Sequence, residues 1–152
     1  MQMEKDGEAF YRDLATKSTS PGIARILTML ADDEVKHHTV LQQMAAQAIP
    51  DMPQTTVLSD AKNVFAQMLG ADVYLTGLQV DLFLKAQDIE RQSQEFYEQK
   101  AGQIADASAK ALLLKIAQEE KSHYYLLDNI VQFIDRPRTW LEDAEFTHLD
   151  EY

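Results

Sequence analysis

Glu4-Lys-Asp-Gly-Glu-Ala-Phe-Tyr11 and Asp33-Glu-Val-Lys-His37 are matched later in the chain by Glu90-Arg-Gln-Ser-Gln-Glu-Phe-Tyr97 and Glu119-Glu-Lys-Ser-His123. One shift of 86 residues, with no gap, carries Glu4 onto Glu90, Tyr11 onto Tyr97, Glu34 onto Glu120 and His37 onto His123. The same shift carries Phe10 onto Phe96, Leu27 onto Leu113, Ala31 onto Ala117 and Leu41 onto Leu127. Self-similarity at a fixed spacing means one structural unit used twice.

The unit is a helical hairpin. Ser20-Pro21 has the form of a helix start, with Ser20 as N-cap and proline in the first turn. Ile23, Ile26, Leu27, Leu30, Glu34, His37, Leu41 and Met44 follow in steps of three and four, a helical stripe that reaches about residue 48 before Pro50 and Pro53. A second stripe runs through Leu112, Leu113, Ile116, Glu120, His123, Leu127, Ile130 and Ile134 and stops before Pro137, with Asp106 or Ser108 as its cap. Shorter periodic stretches at 3–17 and 78–103 precede the two stripes. Residues 49–77, with a short helix near 61–68, are long enough to cross the bundle. The expected fold is therefore an all-α four-helix bundle over 1–136, built from repeats at about 1–48 and 87–134. A C-terminal tail at 137–152 is read as a packed or partner-contacting extension. Only three residues precede Glu4, whereas about twelve helical residues precede Glu90. By the repeat, the first helix is expected to be cut short at its start.

Each half carries a Glu and, thirty residues on, a Glu-x-x-His: Glu4 with Glu34 and His37, and Glu90 with Glu120 and His123. Positions three apart share a helix face, so each Glu-x-x-His projects as a pair from the middle of an apolar stripe. Buried charge there is costly unless something compensates it. Two helix carboxylates plus two Glu-x-x-His units form the ligand set of a carboxylate-bridged di-iron or di-manganese centre in a four-helix bundle. Four ionised Glu and two divalent cations cancel, whereas four carboxylates alone repel one another. In the natural assignment Glu34 and Glu120 bridge, Glu4 and Glu90 are terminal, and His37 and His123 each give one nitrogen. Six protein ligands leave positions open for reaction. The oxygen and nitrogen set suits iron or manganese, with zinc possible.

Chance placement of 11 Glu and 4 His would give about 0.3 Glu-x-x-His matches. Three occur, and the third, Glu145 to His148, lies beyond Pro137 with Lys115 where the repeat has Glu. It is read as tail structure. Tyr11 and Tyr97, two turns past Glu4 and Glu90, have two readings: a hydrogen bond to a bridging carboxylate, or core packing. Gly7 and Ser93 are repeat equivalents and both small, which fits space beside the metals as well as close helix packing. Asp33 and Glu119, each four residues before a histidine, could orient it but are read as solvated surface charge, and His38 is read as exposed.

Composition narrows the function classes. The 152 residues carry 14 Lys plus Arg against 25 Asp plus Glu, a net charge of −11 that makes nucleic acid or an anionic membrane surface a poor partner. Cysteine is absent, so the chain holds no disulfide, thiol nucleophile or cysteine-ligated iron. No signal segment or membrane-length apolar run appears, and a cytoplasmic location is expected.

The segments Glu4–Tyr11, Asp33–His37, Glu90–Tyr97 and Glu119–His123 resemble the ferritin-like superfamily, and most closely its rubrerythrin-like branch. The resemblance spans about residues 1–135. It implies a ferritin-like bundle holding two iron ions that reacts with hydrogen peroxide or dioxygen, or else oxidises and handles ferrous iron. A non-enzymatic, metal-stabilised bundle is the third reading. Rubrerythrins usually add a rubredoxin-like domain with four Cys, which these residues lack, so the resemblance implies a separate electron-donor protein. They also tend to carry one more Glu one turn past the third-helix ligand, where this chain has Ser93. A homodimer is the expected assembly.

Overall fold

The computed structural model describes residues 1–68 and 77–135. Among them are five helices: α1 (Gln2–Lys17), α2 (Pro21–Ala45), α3 (Val57–Gln67), α4 (Gly77–Gln103) and α5 (Ala107–Asp135). The tail at 137–152, including Glu145 and His148, lies outside the described residues, as does the part of the crossover at 69–76. α1 packs along α2 and α4 along α5, giving the two expected hairpins, while α3 rests on α2 and α5. The chain is an all-α bundle.

Local chemistry sets the ends. Ser20 Oγ accepts from the Ile23 N–H at 3.3 Å, and Asp106, rather than Ser108, caps α5 by accepting from the Ala109 N–H at 2.7 Å. The α2 stripe stops at Ala45 because the chain turns there. Gln47 adopts φ 61°, while the Gln47 N–H reaches Met44 O at 3.0 Å and the Ala48 N–H reaches Gln43 O at 2.9 Å. These two bonds close a Schellman C-cap. The short crossover helix begins four residues earlier than expected. Val57, Ala61, Val64 and Phe65 are all buried on one face of α3, and the Thr55 hydroxyl accepts from the Val57 N–H at 3.2 Å.

Two apolar clusters fill the bundle. One gathers Tyr11, Leu14, Ile23, Ile26, Leu27 and Leu30 with α3, with Phe83 of α4, and with Leu126, Leu127 and Ile130 of α5. The other holds Val40, Leu41, Met52, Tyr97, Leu112, Leu113 and Ile116. Each fully buried Leu or Ile stabilises the fold by about 1.5–3 kcal/mol. Neither cluster includes the middle of the stripes, where Glu4, Glu34, His37, Glu90, Glu120 and His123 are all buried instead. The crossover is strapped across this level: Lys115 Nζ donates to Met52 O, and Lys36 Nζ donates to Pro53 O at 3.3 Å.

Gln47 is exposed and holds a left-handed conformation that a side chain disfavours. Gln47→Gly is expected to stabilise the protein by about 0.5–1 kcal/mol, read as a rise in the thermal midpoint; an unchanged or lower midpoint would contradict the C-cap geometry.

Candidate metal centre

All six repeated residues are buried, each at most 4% exposed; the Glu4 carboxylate meets the N-terminal ammonium at 2.7 Å. Atoms of Glu34, Glu90, Glu120 and His123 converge so that one ligand atom from each lies within 4.8 Å of every other. His123 Nδ1 stands 3.5 Å from Glu90 Oε1, 3.7 Å from Glu34 Oε1 and 3.7 Å from Glu120 Oε2. Donor atoms bound to one ion at about 2.1 Å and a near-tetrahedral angle stand about 3.4 Å apart, so this spacing fits a cation. On the other side of Glu34 and Glu120, His37 Nδ1 lies 3.1 Å from Glu120 Oε1 and 4.0 Å from Glu34 Oε2. The two imidazoles stack with centroids 5.8 Å apart and planes inclined by 21°.

Buried polar atoms at this level lack partners. Glu90 Oε2 and His123 Nδ1 make no hydrogen bond although both are buried. An unsatisfied buried polar atom costs about 1–3 kcal/mol, and more when charged. A divalent cation would satisfy both, so the residues present fit a metal.

The other nitrogen of each imidazole explains why Nδ1 is free to face inward. His37 Nε2 meets Glu119 Oε2 at 2.7 Å, and His123 Nε2 meets Asp33 Oδ2 at 3.0 Å. A carboxylate there keeps the proton on Nε2 and leaves the Nδ1 lone pair for a ligand role. Asp33 and Glu119 are therefore not the solvated charges expected of them: Glu119 is 4% exposed and the Asp33 side chain 14%. Each serves the histidine of the opposite half. Residues four apart on one helix suggest an orienting role within that helix, whereas the contact runs between α2 and α5.

The tyrosines separate. Tyr11 Oη donates to Glu90 Oε1, linking α1 to α4, so its partner is a carboxylate expected to be terminal and not one expected to bridge. Tyr97 is buried in the second apolar cluster, and its hydroxyl has no hydrogen-bond partner. At Gly7 a Cβ would sit 3.2 Å from Glu34 Cδ, so the absent side chain makes room for the Glu34 carboxylate itself. Gly7, Tyr11, Glu34, Glu90 and Ser93 line a small cavity between α1 and α4 with room for about one water-sized molecule. His38 is half-buried, contrary to expectation, with its Nδ1 buried and unpartnered. Lys36 and Thr55, which contact Asp33 and Glu119, carry no signal in the sequence, because only the docking of the crossover brings them there.

Two paired helical hairpins that bury this layer of carboxylates and imidazoles define a ferritin-like bundle with a candidate metal centre. The chain belongs to the rubrerythrin family, a ferritin-like di-iron family whose model, described as Rubrerythrin, matches residues 1–131. No curated protein and no solved structure matches it. No helix among the described residues is long and apolar enough to cross a membrane.

The electrostatics give a pH signature. Burial, then repulsion from Glu34 and Glu90, pushes Glu120 well above its ordinary 4.5; burial, reinforced by Glu90, also raises Glu34. Burial opposes the charge on His123, but Glu90 and Asp33 outweigh it and raise His123 well above 6.5. Against burial, His123 holds Glu90 and Asp33 below their ordinary range, and His37 and Lys36 do the same for Glu119. The lowered carboxylates contribute stability that is present above pH 4.5 and lost only in acid. The raised groups contribute in the opposite sense: their share is present at low pH and lost as pH rises through their folded values. After chelation, the thermal midpoint is expected to fall as pH rises from 6.5 toward 9, while metal-loaded protein holds its midpoint because metal binding has already displaced those protons. A chelated midpoint that rises over this window would refute the assignment.

Proposed function

We propose that this chain is a non-haem di-iron oxidoreductase that reduces hydrogen peroxide or dioxygen. The observation that carries the reading is the convergence of Glu34, Glu90, Glu120 and His123 within 4.8 Å, with Glu90 Oε2 and His123 Nδ1 unpartnered among them. Glu34 and Glu120, together with Glu4, His37, Glu90 and His123, would hold the two iron ions. When bound, the iron pair supplies the two electrons of H2O2 + 2 e⁻ + 2 H⁺ → 2 H2O. The protein's own residues bind, orient and shield. Asp33 and Glu119 hold the imidazoles with Nδ1 inward, and Tyr11 Oη steadies Glu90. The Gly7–Ser93 cavity reaches Glu34 and Glu90. Electrons come from a donor outside these 152 residues, since none of them is a cysteine.

A net charge of −11 gives the iron-handling reading its own support, because an acidic surface concentrates cations. One experiment separates the two. Protein loaded anaerobically with ferrous iron is expected to hold two irons per chain and to consume peroxide stoichiometrically, and a Glu34→Ala/Glu120→Ala variant to do neither. Uptake well beyond two irons per chain would make ferrous iron the substrate. Peroxide consumption no faster than that of the variant would overturn the oxidoreductase reading.

A further inference from the structure

The carboxylates that orient the two histidines do not end at the histidines. Lys36 Nζ lies 2.7 Å from Glu119 Oε2, 3.4 Å from Asp33 Oδ1 and 3.3 Å from Pro53 O, so its three N–H donors meet three acceptors. Thr55 reaches the same two acids from the crossover. Its backbone N–H donates to Glu119 Oε1 at 3.0 Å, and its hydroxyl donates to Asp33 Oδ2 while accepting from the Val57 N–H at the start of α3. The result is one closed network from His37 through Glu119, Lys36 and Thr55 to Asp33 and His123. The shift of 86 does not repeat Lys36. Lys36 maps onto Ser122, whose hydroxyl donates to Gln118 O within its own helix.

We infer that Lys36 and Thr55 are positioning residues for both histidines at once, which makes the crossover segment part of the metal centre. This inference rests on the reading that His37 and His123 are ligands. A carboxylate that orients a ligand works only if its own direction is set. Asp33 and Glu119 approach from opposite hairpins, on α2 and α5, and neither helix alone fixes their separation. Lys36 places one positive charge between the two acids and draws them together. Thr55 supplies a rigid backbone donor to one and a hydroxyl donor to the other. Moving either residue shifts Asp33 and Glu119 together, and therefore shifts both imidazoles.

The test is a cobalt(II) titration of the full chain, read by calorimetry and by the visible ligand-field bands, with metal-free melting and circular dichroism as folding controls. Thr55→Val and Lys36→Met are each expected to weaken cobalt binding about 10-fold, as loss of an outer hydrogen-bond partner does, and to move the ligand-field bands. Thr55→Ser, which keeps the hydroxyl, is expected to bind and absorb like the wild type. The Lys36 side chain is 21% exposed, so Lys36→Met keeps the test decisive if Thr55→Val folds poorly. Wild-type affinity and band positions in Lys36→Met and in any folded Thr55→Val would overturn the inference, as would a lowered metal-free melting point with unmoved bands, the mark of a purely structural role. Wild-type protein that binds no cobalt would overturn the ligand reading itself, a distinguishable failure.

Discussion

Six ionisable side chains lie across the middle of an apolar core, and the rest of the structure is arranged around that layer. Leu30 and Ala31 lie on one side of it in α2, Val40 and Leu41 on the other. A charge in such a place costs several kcal/mol unless paired. Glu34, Glu90 and Glu120 repel one another when ionised, which is part of what raises Glu34 and Glu120, and a hydrogen bond to Glu90 favours a proton on Glu120. His123 offsets some of it by holding Glu90 low. The histidine and the carboxylates are thus complementary in charge even before a cation enters, which keeps the ligand atoms close together instead of splayed apart.

That layer needs a frame that does not give way. A helix fixes a Cβ but leaves three torsions of a glutamate free, so ligand directions depend on contacts further out. Here those contacts cross the bundle. Asp33 of α2 meets His123 of α5, and Glu119 of α5 meets His37 of α2. Tyr11 of α1 does the same for Glu90 of α4. Every one of these bonds joins the two hairpins, so the polar layer that burdens the core also registers its halves against each other. The apolar stripes alone would tolerate sliding by a turn; the hydrogen-bonded layer does not.

The sequence made the helices and the site legible to different depths. α1, α2, α4 and α5 follow from a stripe of period 3.6 and from capping residues such as Ser20, and their ends fall within a few residues of expectation. The six repeated Glu and His residues were visible because duplication preserved their spacing and because charge inside an apolar stripe stands out. Asp33 and Glu119 were visible as positions but misread, since acidic residues beside a stripe resemble a solvated face until the opposite helix is in place. Thr55 could not be found at all. It sits in an aperiodic crossover, and its contacts with Asp33 and Glu119 arise only from tertiary docking, which leaves no period to detect. The C-cap at Gln47 was hidden for a related reason: a glutamine where glycine is preferred gives no stop signal, so the α2 stripe seems to run on toward Pro50.

The crossed pairing also bears on why the unit occurs twice. A single hairpin such as α1–α2 contains a terminal Glu, a Glu-x-x-His and an orienting acid, which suggests a self-sufficient half-site. The contacts show otherwise. Asp33 has no histidine of its own hairpin to orient, His37 takes its orienting acid from α5, and Glu90 of the second hairpin takes its tyrosine from the first. One hairpin therefore presents donors and acceptors that are satisfied only by a second, and the smallest complete polar layer is two of them. Once both are joined in one chain, the connection between them is free to differ from either repeat. Residues 52–55 of that connection reach Lys36, Lys115, Asp33 and Glu119, so the asymmetry that tethering permits falls on the acids that aim the two imidazoles. The two halves of the layer are equivalent in their inner residues and unequal in what holds them.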